Sequence, residues 1–106
     1  MKNLDLEKLS SLFKALSDEN RMNIVNHLCN CSPSSNEESS GANVSEISTC
    51  CDVDFSVVSR HLSKLKSAGV LSAHKKGKQV FYSLERKQIV KQLRALADFI
   101  ENSNCC

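Results

Sequence analysis

A mainly α-helical domain carrying one β-hairpin is the fold class this sequence predicts. Three observations support it. Apolar residues recur at helical spacing in successive stretches of the chain, while β-forming residues are confined to two runs flanking "KKGK". The length, 106 residues, is that of a single domain, and 41% hydrophobic with 25% charged is an ordinary globular balance.

Each element has its own local reason. Leu9, Leu12, Phe13 and Leu16 form an i, i+3, i+4, i+7 stripe, so residues 3–16 read as an amphipathic helix. "LSDENR" restarts the chain, with Ser17 or Asp18 as N-cap and acids in the first turn. The second helix, about 18–29, is expected to pack through Met22, Val25 and Leu28. Residues 30–43, "NCSPSSNEESSGAN", are too polar to bury a core and read as a flexible loop, long for so small a domain.

A short helix from about Val44 to Cys51 follows, with Val44, Ile47 and Cys51 on one face. "DVD" breaks it, and Asp54 is placed to cap a longer helix, Phe55 to Ala68. That helix buries Val58, Leu62 and Leu65 and leaves serines, arginine and lysines outside; Gly69 stands where a left-handed C-cap is wanted. Val70–His74 and Gln79–Leu84 form the hairpin, with Lys75, Lys76 and Lys78 at its tip. The last helix, about 85–102, carries Ile89, Leu93, Leu96 and Ile100 at a 4-3-4 spacing that also suits pairing with another helix. Residues 103–106 complete a polar tail with two thiols. Short helix, turn, longer polar-faced helix and hairpin make a winged helix-turn-helix, whose second helix enters the DNA major groove.

Charge agrees with that use. Residues 1–54 hold four Lys/Arg against nine Asp/Glu, and residues 55–106 hold ten against three, so the basic surface lies on the half carrying the longer helix and the hairpin. No stretch approaches the roughly 18 apolar residues of a membrane span. "MKNLDLEKLSSLF" has acids where a signal peptide needs an apolar core, which points to a cytoplasmic protein.

"LFKALSDENRMNIVNHL", "VSRHLSKLKSAGVL" and "KGKQVFYSL" together resemble the ArsR/SmtB family of bacterial metalloregulatory repressors, from about Leu12 to Leu84. The resemblance implies a homodimer, paired through the first and last helices, on double-stranded operator DNA, which it leaves when an effector binds. No cofactor is expected for DNA binding itself. Ser56, Ser59, Arg60 and His61 lie on the first turns of the recognition helix, within reach of base edges; Arg60 suits a guanine or a phosphate, and His61 suits a base or the interior. Lys64, Lys66, Lys75, Lys76 and Lys78 are placed for phosphates.

The effector is less directly legible. Arsenite-sensing relatives commonly carry Cys-x-Cys where this chain has "NVSE", with Asn43 and Ser45 in the thiol positions, and the last helix has no histidine. Six cysteines nevertheless fall in three close pairs, Cys29/Cys31, Cys50/Cys51 and Cys105/Cys106. In a reducing cytosol such pairs point to soft-metal or redox chemistry. As(III), methylarsenite and Sb(III) need only two or three sulfurs, so they come first. Cys105 and Cys106, then Cys29 and Cys31, are the expected ligands; Cys50 and Cys51 come last, because Cys51 continues the Val44–Ile47 apolar stripe. Two other readings stand beside this one: a disulfide- or persulfide-sensing repressor, and a constitutive DNA-binding module with incidental thiols. No nucleophile–base or acid pair suggests an enzyme.

Overall fold

A computed structural model describes residues 4–30, 41–49, 51 and 53–103. Its order is α1 (Leu6–Leu16), α2 (Glu19–Cys29), β1 (Ala42–Asn43), α3 (Val44–Ser48), α4 (Phe55–Ser67), β2 (Leu71–Lys76), β3 (Gln79–Leu84) and α5 (Arg86–Glu101). This is a winged helix-turn-helix, with α3 and α4 as the reading pair and β2–β3 as the wing.

The first two helices begin on aspartate caps. The carboxylate of Asp5 accepts the amide of Lys8, and that of Asp18 accepts the amide of Arg21. Leu9, Leu12 and Ala15 of α1 turn inward, whereas Phe13 stays 44% exposed. In α2 the expected face is off by part of a turn. Ile24 and Leu28 are buried and Val25 packs beside them, but Met22 is 45% exposed. "MNIV" offers two overlapping stripes, and contact with α4 selects the one through Ile24.

The polar stretch 30–43 is shorter than expected. Asn30 caps α2, and Ala42–Asn43 form a strand that pairs with β3, Ala42 opposite Tyr82 and Asn43 opposite Phe81. The expected hairpin is therefore a three-stranded antiparallel sheet of order β1-β3-β2. Gly41 makes this possible. At φ +112°, an added Cβ would stand 2.5 Å from the Tyr82 carbonyl oxygen. Residues 31–40 lie outside the described residues.

α3 ends at Ser48, earlier than expected, with Thr49 as its C-cap; it starts on a capping box in which Asn43 and Glu46 exchange hydrogen bonds. Asp54 has the extended backbone of a cap, yet its side chain makes no capping hydrogen bond; its carbonyl oxygen takes the amides of Val57 and Val58 instead. α4 ends as Gly69 predicts. Gly69 is at φ +81°, its amide donates to Lys66 and that of Val70 to Leu65, which is a Schellman motif. Lys75 and Lys76 belong to β2 rather than to the tip, which is Gly77–Lys78 alone, since Lys76 pairs with Gln79. Glycine in the first turn position at φ +64° matches a type II′ hairpin.

One core joins these parts: Leu12, Ile24, Leu28, Ile47, Val58, Leu62, Leu65 and Val70 are each no more than 3% exposed. α5 stands apart from it. No residue of α5 is buried, and it is tethered by Ile89, by the Arg86 guanidinium donating to the Leu28 carbonyl (3.2 Å), and by the Glu85 amide donating to Val70.

Candidate nucleic-acid interface

The outer face of α4 is built by subtraction. Val58, Leu62 and Leu65 point into the core at i, i+4, i+7, which forces Ser56, Ser59, Arg60, Ser63 and Lys64 outward, and all five are exposed. Lys66, Lys75, Lys76 and Lys78 are exposed as well. The start of α4 and the wing tip are neighbours: Phe55 and Lys78 line one hollow with Asn43, Ser45 and Gln79. Asn43 braces that junction, its amide Nδ2 donating to Gln79 Oε1 at 2.9 Å. Seryl hydroxyls, a guanidinium and ammonium groups are thus presented from two adjoining elements, a donor-rich surface matched to base edges and phosphates.

His61 departs from this face. Its side chain is 15% exposed, and Nε2 lies 3.7 Å from Asp18 Oδ2 at the start of α2. Of the two uses the sequence left open for it, its position is the interior one. The Arg21 amide donated to Asp18 holds that carboxyl below the usual carboxylate range; His61 and the Asn20 amide act in the same direction, and partial burial opposes them. This contact between α2 and the recognition helix was not legible in the sequence, where the two residues stand far apart. The Asn43–Gln79 brace was equally hidden; the only signal was the Asn-x-x-Glu spacing of the capping box.

Two of the six cysteines fall among the described residues. Cys29 is exposed at the last position of α2. Cys51 is partly buried against the core, and its thiol donates to the Asn20 carbonyl oxygen at 3.8 Å, in the first turn of α2. Both thiols therefore touch the same helix, at opposite ends, and Cys51 stands between α3 and α4. Neither is in a disulfide. Among the described residues no group of three His, Cys, Asp or Glu side chains assembles a metal site. Cys31, Cys50, Cys105 and Cys106 lie outside the described residues. No described helix is long and apolar enough to cross a membrane.

Comparison with known proteins agrees with this geometry. The family model described as "Bacterial regulatory protein, arsR family" matches residues 18–73, from the cap of α2 into β2. The cadmium resistance transcriptional regulatory protein CadC of Listeria innocua is 33% identical over 105 residues, covering 93% of this chain and 76% of its own. The transcriptional repressor SdpR of Bacillus subtilis is 28% identical over 96 residues, covering 91% and 97%. Among solved structures, an ArsR-like transcriptional regulator from Rhodococcus superposes with a TM-score of 0.70 at 26% identity, covering 89% of this chain and 80% of that one.

Proposed function

The chain belongs to the arsR family of bacterial regulatory proteins and is a DNA-binding transcriptional repressor; from that premise we propose that a thiophilic effector, bound by its cysteine thiolates, releases it from its operator. The repressor acts as a cytoplasmic homodimer, each chain forming one winged helix-turn-helix domain over residues 1–106. Ser56, Ser59 and Arg60 read base edges, and Lys64, Lys66, Lys75, Lys76 and Lys78 meet phosphates.

The observation that carries the effector reading is the exposed thiol of Cys29, a proposed ligand at the last position of α2, the helix against which α4 packs. Drawing sulfur toward a soft ion there, or at Cys51, whose thiol donates to the Asn20 carbonyl oxygen at the other end of α2, perturbs that helix. The dimer conformation that accepts the ligand then no longer fits the two half-sites, and DNA affinity falls. A coupling of ~1–3 kcal/mol gives a 5–150-fold loss. As(III), methylarsenite and Sb(III) suit a two- or three-sulfur site; the cadmium-regulator relatives add Cd(II) to the same class. Cys105, Cys106, Cys29 and Cys31 are the proposed ligands, with Cys50 and Cys51 the second choice.

The test is operator binding by the reduced protein, titrated in turn with As(III), methylarsenite, Sb(III), Cd(II) and Zn(II), and separately with polysulfide or peroxide. Release by a soft ion, lost in Cys105→Ser/Cys106→Ser with DNA affinity intact, supports the reading. Release by the oxidants alone assigns the thiols to redox sensing, and no response to any of them leaves a constitutive repressor.

A further inference from the structure

Beyond the reading face, a groove of about 600 Å³ runs between the end of α1, the first turn of α2 and the last two turns of α4. Three cationic side chains line it, Lys14, Arg21 and Lys64, together with the hydroxyls of Ser11, Ser63 and Ser67; among the described residues no carboxylate does. Asp18, one turn before Arg21, is committed elsewhere, to the Arg21 amide and toward His61. The Arg21 guanidinium carries a second sign. Its Nε is shielded from water and has no hydrogen-bond partner among the described residues. The protein leaves that desolvation unmet, and an anion held by the guanidinium offsets it. Three convergent cations, seryl donors and an incompletely satisfied arginine describe an oxyanion site.

We propose that this groove binds a phosphate group, and its place in the fold makes the backbone of duplex DNA the source. Ser56, Arg60, Ser63 and Ser67 follow each other at i, i+4, i+7 and i+11 on α4, so the groove continues the face that reads bases, at the end away from the wing. A helix lying in the major groove has a phosphate ridge on either side. The wing lysines meet one flank, and Lys14, Arg21 and Lys64 clamp the other, with α1 and α2 supplying two of the three charges. The inference rests on the DNA-binding reading and adds α1 and α2 to the contact surface.

The experiment measures the affinity of the reduced protein for an operator-bearing duplex and a scrambled one across a range of salt. A single phosphate contact contributes a slope of about −0.9 in log K against log salt. Lys14→Gln/Arg21→Gln is expected to lower that slope by about one and to weaken both duplexes by the same factor. Lys87→Gln, which removes one charge from the exposed start of α5, is expected to leave the slope unchanged. Should Arg21→Gln lower the thermal midpoint, Lys14→Gln at an exposed position carries the same test. A double variant with the wild-type slope overturns the proposal, as does a Lys87→Gln slope reduced equally, since only net charge is then at work. Inorganic phosphate, titrated without DNA, separates the two sources. Saturable amide shifts at Ser63 and Ser67 that Arg21→Gln abolishes, with no change in the DNA slope, assign the groove to a free oxyanion and overturn the backbone source. If the wild type binds neither duplex at low salt, the DNA-binding reading itself falls, an outcome distinct from a binding wild type with an unchanged variant.

Discussion

Asp18 caps α2 through the Arg21 amide, faces His61 on the recognition helix, and begins the stretch that matches the family model. Its carboxyl is held below the ordinary 3.8. A carboxyl depressed in the folded state stabilises the fold only while ionised. That stabilisation is complete above roughly pH 4 and is lost as pH falls through the lowered folded value. Asp18→Asn keeps a side chain able to cap but removes the charge. The thermal midpoint of the variant should therefore fall less steeply below pH 4 than that of the wild type, with the two converging in acid. Parallel curves in a pH-resolved melting series would assign the acid response to other carboxyls. His61 is the other half of this contact: three residues after Val58 and one before Leu62, it lies at the edge of the buried stripe of α4, while Ser59 and Arg60 face out.

Among the elements, β1 is the smallest and the most informative. Two residues, Ala42 and Asn43, extend the wing into a three-stranded sheet and then become the cap of α3, so the sheet and the reading pair share a boundary. Gly41 sets the approach. Its positive φ and the 2.5 Å that a Cβ would leave to the Tyr82 carbonyl both exclude a side chain. Gly41→Ala should destabilise by about 1–3 kcal/mol, from backbone strain plus displaced β1–β3 pairing. Gly77→Ala, at φ +64° with nothing near its Cβ, should show only the left-handed penalty of about 1–2 kcal/mol. Chemical denaturation of the two variants checks the order; an equal loss at both sites would mean that β1 contributes no stability of its own.

The whole molecule is a small core with two helices only partly covered. Leu6 and Phe13 on α1, and Val90, Leu93, Phe99 and Ile100 on α5, are exposed large apolar side chains, and no residue of α5 is fully buried within the protomer. A domain of this length buries about two-thirds of its unfolded surface, so covering those faces adds stability that the protomer lacks. The proposed homodimer, paired through α1 and α5, would make the thermal midpoint depend on concentration. Leu93→Glu/Ile100→Glu should abolish that dependence, yield a monomer by analytical ultracentrifugation, and weaken operator binding while leaving the protomer's helical content intact. A double variant that remains dimeric would move the interface elsewhere.

Periodicity and caps, read from residues alone, sufficed for the winged helix-turn-helix, the inward face of α4 with Val58, Leu62 and Leu65, the Gly69 stop and the clustering of positive charge in the second half. These are local properties: a helical stripe, a left-handed cap or a turn glycine is set by neighbours within a few positions, and the residues carry it wherever the chain goes. Tertiary structure decided the rest. It chose Ile24 over Met22, turned Phe13 out, converted the end of a polar stretch into β1, paired His61 with Asp18, and gathered Lys14, Arg21 and Lys64 around one groove. Each of these depends on which distant surface an element meets, and packing against a partner of fixed shape selects one option among several that the local sequence leaves nearly equal in energy.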